Sequence, residues 1–156
     1  MILLLDIDGV MVPASGWKVP ELLNDGFPDF SAKAVKGLNK IISITSASIL
    51  LTSSHKSAYS IETWKLIFAK RGVNAKISKL RNAEIFQSRK DEVLNWIQTH
   101  RDENNYVIID DDKSLNSLPE NLKSKLILTS PLIGLNEELA DQVIETLRSS
   151  TVTSSD

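Results

Sequence analysis

Met1-Ile2-Leu3-Leu4-Leu5-Asp6-Ile7-Asp8-Gly9-Val10 opens the chain. Residues 2–5 are apolar without alternation, the pattern of a strand buried on both faces, as in a parallel sheet covered by helices. The run stops at Asp6, and a second acid follows at Asp8. Residues 49–51 and 107–109 are further runs of this kind, with a fourth at 126–128 and a weaker candidate near 75–77. The run at 107–109 also ends in acids, Asp110, Asp111 and Asp112.

Between these runs the apolar spacing is helical. Val35, Leu38 and Ile42 mark a helix over 31–45, and Ile61, Trp64 and Phe68 mark one over 60–71, with Gly72 as its stop. Ser88 can cap a helix bearing Val93 and Ile97, with Asp91 completing an approximate capping box. Asn136 can cap a last helix bearing Leu139, Val143 and Leu147. Strands alternating with helices imply parallel crossovers, hence a three-layer α/β/α domain with a mainly parallel, Rossmann-like sheet. The expected organisation is one domain over 1–148. A Pro/Gly-rich loop over 11–30, with Trp17 and Phe27, forms an ordered lid, and 149–156 is a frayed tail.

Composition agrees with a globular chain. Of 156 residues, 42% are hydrophobic and 24% charged, and 18 Lys+Arg against 20 Asp+Glu give a net charge of −2. No global field therefore recruits nucleic acid or an anionic membrane. Cys is absent, which excludes disulfides, thiol catalysis and Cys-ligated metals. No stretch reaches the roughly 20 apolar residues of a membrane span, and the N-terminus lacks the basic region of a signal peptide. The expected location is cytoplasmic.

The acids carry the chemical signal. Ligands of open parallel sheets bind beyond the carboxyl ends of the strands, where strand order reverses. If the strands ending at Asp6 and Asp110 are neighbours, five carboxylates share a small volume. Like charges a few Å apart then repel by on the order of 4 kcal/mol at an effective dielectric near 20. A hard divalent cation with oxygen ligands, Mg²⁺ foremost, relieves that repulsion.

Asp6-Ile7-Asp8-Gly9-Val10 resembles the first signature of the haloacid dehalogenase (HAD) superfamily of phosphohydrolases. Leu50-Leu51-Thr52-Ser53 resembles the second, Lys90 sits where the third places its Lys, and Ile108-Ile109-Asp110-Asp111 resembles the fourth. Pro131-Leu132-Ile133-Gly134-Leu135, with the helix after it, is similar to the HAD-like domain of Swiss Army Knife RNA repair proteins. The resemblance implies that Asp6 is the nucleophile forming an aspartyl-phosphate and Asp8 the general acid, then base. It implies Mg²⁺ held by Asp6, the main-chain carbonyl of Asp8 and Asp110, with Asp111 assisting. Thr52 and the amide of Ser53 would bind phosphoryl oxygens, and Lys90 would neutralise charge beside Asp6. Arg89, Lys56 and Lys113 compete for the role of Lys90, and Thr52 and Ser53 compete with each other. His55 reads as a capping or exposed residue, and Asp112 as a solvated neighbour.

Neither gap between signatures holds enough chain for a cap domain, so the resemblance implies a capless member with an open site. Such a site suits a large phosphorylated substrate, an RNA or DNA end among them. Lys70, Arg71, Lys76, Lys79, Arg81, Arg89 and Lys90 could form a basic strip. The alternative reading is a non-enzymatic phospho-acceptor or metal-binding interaction module, which also uses clustered acids, Thr and Lys at strand ends.

Overall fold

The computed structural model describes residues 1–14, 20–80, 88–103 and 105–154, with side chains through 149. Five strands form one parallel sheet in the order β3-β2-β1-β4-β5. They are β1 (Ile2–Leu5), β2 (Ser48–Leu51), β3 (Ile77–Lys79), β4 (Tyr106–Asp110) and β5 (Leu126–Leu128). The weak run near 75–77 thus becomes a strand shifted two residues onward.

The absence of alternation in β1 has its expected cause. Leu3 and Leu5 join one core with Ile49, Leu51, Val107 and Ile109, while Leu4 joins another with Leu50 and Ile108. Each of the three leucines is fully buried, which contributes about 2 kcal/mol apiece. Helices α1 (Ala32–Thr45), α2 (Ile61–Lys70) and α5 (Glu137–Ser154) cover the first face with Leu38, Trp64, Phe68 and Val143. Helix α3 (Arg89–Thr99) covers the second with Val93 and Trp96. The 3-10 helix η2 (Lys113–Ser117) adds Leu115 to that second core. The short α4 (Glu120–Lys123) precedes β5.

The caps at Ser88 and Asn136 are those expected from the sequence, and Ser31 and Ser60 add two more. Ser31, Ser60 and Ser88 accept from the amides of Ala34, Thr63 and Asp91, and Asn136 Oδ1 accepts from Leu139 N at 2.9 Å. Gly72 takes φ +85°, ending α2. Helix α5 continues to Ser154, past Ser149, where the sequence reading starts a tail. Among the described residues, no helix is long and apolar enough to cross a membrane.

The loop over 11–30 is folded onto the body where it is described. Leu22 and Pro28 form an antiparallel bridge, and Ser31 N donates to Met11 O at 2.9 Å, closing the excursion. Its anchor is Arg71. Its Nη1 and Nη2 meet Asp25 Oδ2 and Oδ1 at 2.6 and 3.0 Å. It also donates to the carbonyls of Pro28, Phe27 and Ile67. Phe27, on which the lid expectation partly rested, is buried; Trp17 lies outside the described residues.

Candidate active site

Strand β1 pairs with both β2 and β4, so the order reverses beside it. Leu5 is in register with Leu51 and Ile109. The next residues continue the row: Thr52 N donates to Leu5 O and Asp6 N to Ile109 O, both at 3.0 Å. Thr52, Asp6 and Asp110 therefore stand side by side at the carboxyl edge of the sheet. The sequence expectation that the two acidic strand ends converge holds.

The convergence is narrower than five acids. Asp6, Asp110 and Asp111 each offer a carboxylate oxygen, and these lie within 4.8 Å of one another. Asp6 and Asp110 are buried. Asp112 instead caps η2, its Oδ1 accepting from Ser114 N at 2.9 Å. Asp8, of which only the main-chain carbonyl was expected at the metal, keeps its side chain outside the cluster, where its Oδ2 meets His55 Nε2 at 2.7 Å. Gly9 makes room for the third acid. It takes φ +78°, and a Cβ there would collide with the Asp111 carboxylate. The turn after β1 is tight: the amides of Val10, Met11 and Val12 all donate to Ile7 O. The segment at 131–135 supports it from outside. Leu135 N donates to Val10 O at 2.8 Å, and Thr129 Oγ1 donates to Gly9 O at 2.7 Å.

The cation beside these acids is Arg89, which corrects the expectation for Lys90. Arg89 Nη1 lies 2.7 Å from Asp110 Oδ2 and 3.3 Å from Asp6 Oδ1. Arg89 heads α3 four residues before Val93 and seven before Trp96, on the face turned to the core. Lys90 is turned about 100° away around the helix and forms no ion pair among the described residues. The other rivals are accounted for. Lys56 is buried in a pair with Glu92 at 3.0 Å, and Lys113 is exposed. Of the residues read as a basic strip, Arg71 anchors the loop, Lys79 donates to Tyr59 O, and Arg81 lies outside the described residues.

Thr52 and Ser53 are both fully buried but differ in occupation. Ser53 Oγ accepts from His55 N at 3.1 Å, a local turn. Thr52 Oγ1 has no hydrogen-bond partner among the described residues. An unpaired buried hydroxyl costs about 1–3 kcal/mol, so it suits a position that meets a ligand oxygen.

The electrostatics follow from three acids facing one guanidinium. Burial, then Asp110, push the Asp6 carboxyl up to about 8, and Arg89 only partly offsets this. Burial also raises Asp110, against the pull of Arg89. Burial works against the charge on Arg89, but Asp110 and Asp6 outweigh it and raise its pKa. The cluster thus holds more negative charge than its own cation balances. Its donors are all hard oxygens, the set that fits a divalent cation such as Mg²⁺.

His55 is the residue that sequence reasoning undervalued. It stands at the N-cap of the 3-10 helix η1 (Lys56–Ala58) without a side-chain cap bond, so of the two expectations, capping or exposed, the exposed one fits its 41% accessible side chain. Nothing in its local sequence points to Asp8, 47 positions away.

The family model for the HAD domain in Swiss Army Knife RNA repair proteins matches residues 2–140. That span includes β1 through β5, every acid of the cluster, Arg89, Thr52 and His55. No curated protein and no solved structure matches the chain. With the parallel sheet, the acids at its switch point and a family match over most of its length, the chain belongs to the HAD-domain family of Swiss Army Knife RNA repair proteins.

Proposed function

We propose that the chain is a Mg²⁺-dependent phosphohydrolase working through an aspartyl-phosphate. The observation that carries this is the row Thr52–Asp6–Asp110, with Asp111 and Arg89 closing on it. Family membership supports phosphohydrolase chemistry in general.

Asp6 attacks phosphorus as its O–P bond forms and the bond to the leaving oxygen breaks. Asp8 gives that oxygen a proton, then takes one from the water that cleaves the acyl phosphate. Arg89 neutralises charge on Asp6 and on the phosphoryl oxygens, the role first read for Lys90. The Thr52 hydroxyl donates to a phosphoryl oxygen, with the amide of Ser53 as the second donor. Asp6, Asp110 and Asp111, with the main-chain carbonyl of Asp8, would hold Mg²⁺. Bound there, the ion shields the anionic nucleophile from the anionic phosphate.

The proposed substrate is an accessible phosphorylated end, RNA or DNA. Two features support it: the family's association with RNA repair, and the exposed Asp8 and His55 side chains, 58% and 41% accessible. The test is turnover of an aryl phosphate and of RNA oligonucleotides carrying 3′- or 5′-phosphates, with and without Mg²⁺. Metal-dependent release of phosphate that vanishes in Asp6→Asn is expected. Full activity in Asp6→Asn, or no hydrolysis of any phosphate ester, overturns the proposal. A long-lived phospho-adduct that does not hydrolyse would favour the acceptor-module reading instead.

A further inference from the structure

We infer that His55 is the positioning residue that aims the Asp8 carboxyl, an assignment that rests on the phosphohydrolase reading above. Asp8 lies past the end of β1, and its side chain is 58% accessible. A carboxyl so exposed samples several rotamers, yet proton transfer needs it within about 3 Å of the leaving oxygen. His55 Nε2 holds Asp8 Oδ2 at 2.7 Å, which leaves Oδ1 to face the reacting oxygen.

The imidazole is itself held. Phe27 meets it edge-on, at 5.5 Å between ring centroids and 89° between planes. Phe27 is buried against Trp64, and its carbonyl accepts from Arg71 Nη2 at 2.8 Å. On the other side, His55 N donates to Ser53 Oγ at 3.1 Å, fixing its backbone to the segment that carries Thr52. The chain from Arg71 through Phe27 and His55 thus transmits the rigidity of the folded loop to an exposed acid. An exposed Asp–His contact contributes little to stability, so positioning and folding can be separated by experiment.

The two chemical steps also separate. In the first, the Asp6–phosphorus bond forms, the ester P–O bond breaks, and Asp8 protonates the departing oxygen. In the second, a water oxygen bonds to phosphorus, the Asp6–phosphorus bond breaks, and Asp8 receives the water's proton. An alkoxide needs Asp8 in both steps. A 4-nitrophenolate leaves unaided and needs it only in the second.

The test compares His55→Phe, which keeps the ring contact with Phe27 and lacks the N–H, with His55→Gln, which keeps a donor. Substrates are 4-nitrophenyl phosphate and a nucleoside 3′-monophosphate. For His55→Phe we expect kcat/KM on the nucleotide to fall roughly 30-fold, a fraction of the 10²–10⁴ of general acid–base catalysis. On the aryl ester kcat falls similarly while kcat/KM falls much less, with a burst of nitrophenolate marking the phosphoenzyme. His55→Gln recovers most of the loss, and both variants melt near the wild-type temperature. Equal loss of kcat/KM on both esters, a KM effect alone, or no rescue by Gln overturns the assignment. No hydrolysis by wild type, or full activity in Asp6→Asn, overturns the phosphohydrolase reading and the assignment with it. Failure confined to the His55 variants overturns the assignment alone.

Discussion

Two guanidiniums divide this molecule, Arg71 buried and Arg89 partly buried. Arg71 directs its donors to one carboxylate, Asp25, and to three carbonyls, and its charge is balanced on the spot. The hydrogen bond from Arg71 holds the Asp25 carboxyl down to about 2. Arg89 faces Asp6 and Asp110, with Asp111 beside them, and leaves acid in excess. There the carboxyl of Asp6 is pushed up to about 8. A pair that lowers its carboxyl's pKa is finished and holds a loop. A cluster that raises it is waiting for charge from outside. Perturbation toward the uncomfortable form, in a row of strand ends, separates the candidate functional cluster from the structural one.

The comparison is broken most sharply by chemistry. Asp6→Asn should lower phosphatase kcat about a thousandfold or more, as loss of a nucleophile does. The metal-free variant should nevertheless melt no lower than wild type at pH 8, because it removes one uncompensated buried acid. Calorimetry beside the activity assay reads both, and a large drop in melting temperature would place Asp6 with Asp25.

Arg71→Ala should do the reverse. It strands buried carbonyls and the partly exposed Asp25 carboxylate, which together should cost about 1–3 kcal/mol. Urea denaturation measures this, and a loss below about 1 kcal/mol would mean that the loop is held by its apolar contacts alone.

The pH dependence of the two clusters should differ in sign. The folded pKa of Asp6, about 8, lies above its ordinary value of 3.8, so its contribution is full below 3.8 and lost as pH rises through 8. That of Asp25, about 2, lies below 3.8, so its contribution is present above 3.8 and lost as pH falls through 2. Saturating Mg²⁺ should therefore raise the melting temperature by several degrees at pH 8 and by little at pH 5. An equal shift at both would detach the metal from Asp6.

The smallest effect concerns the row's third member. Thr52→Val is isosteric and deletes a buried hydroxyl without a partner among the described residues, so stability should hold or rise by up to about 1–3 kcal/mol while KM for phosphate esters rises. Ser53→Ala should leave KM closer to wild type and disturb the turn at His55. Steady-state kinetics on the two variants decide between them.

Much of the site was legible before folding because strand-end acids need only a register to meet. Asp6 and Asp110 each end an apolar run, and parallel pairing of those runs sets them side by side. Arg89 was legible in principle. It shares the i, i+4, i+7 stripe of Val93 and Trp96, and that periodicity outranks the motif slot that favoured Lys90. The pairing of Asp8 with His55 had no such signal, since it joins two loops whose relative placement comes from sheet order and from Phe27.

The sequence by itself determined the buried strands, the helices between them with their Ser and Asn caps, and the presence of acids where two strands end. Those follow from local propensity, from unbroken apolar runs and from a 3.6-residue periodicity, which need no partner to be read. Only the tertiary structure decided which cation faces the acids, which acid leaves the cluster for a histidine, and which hydroxyl stays unpaired. Each depends on helix rotation and loop placement, and these are set by packing across the whole core.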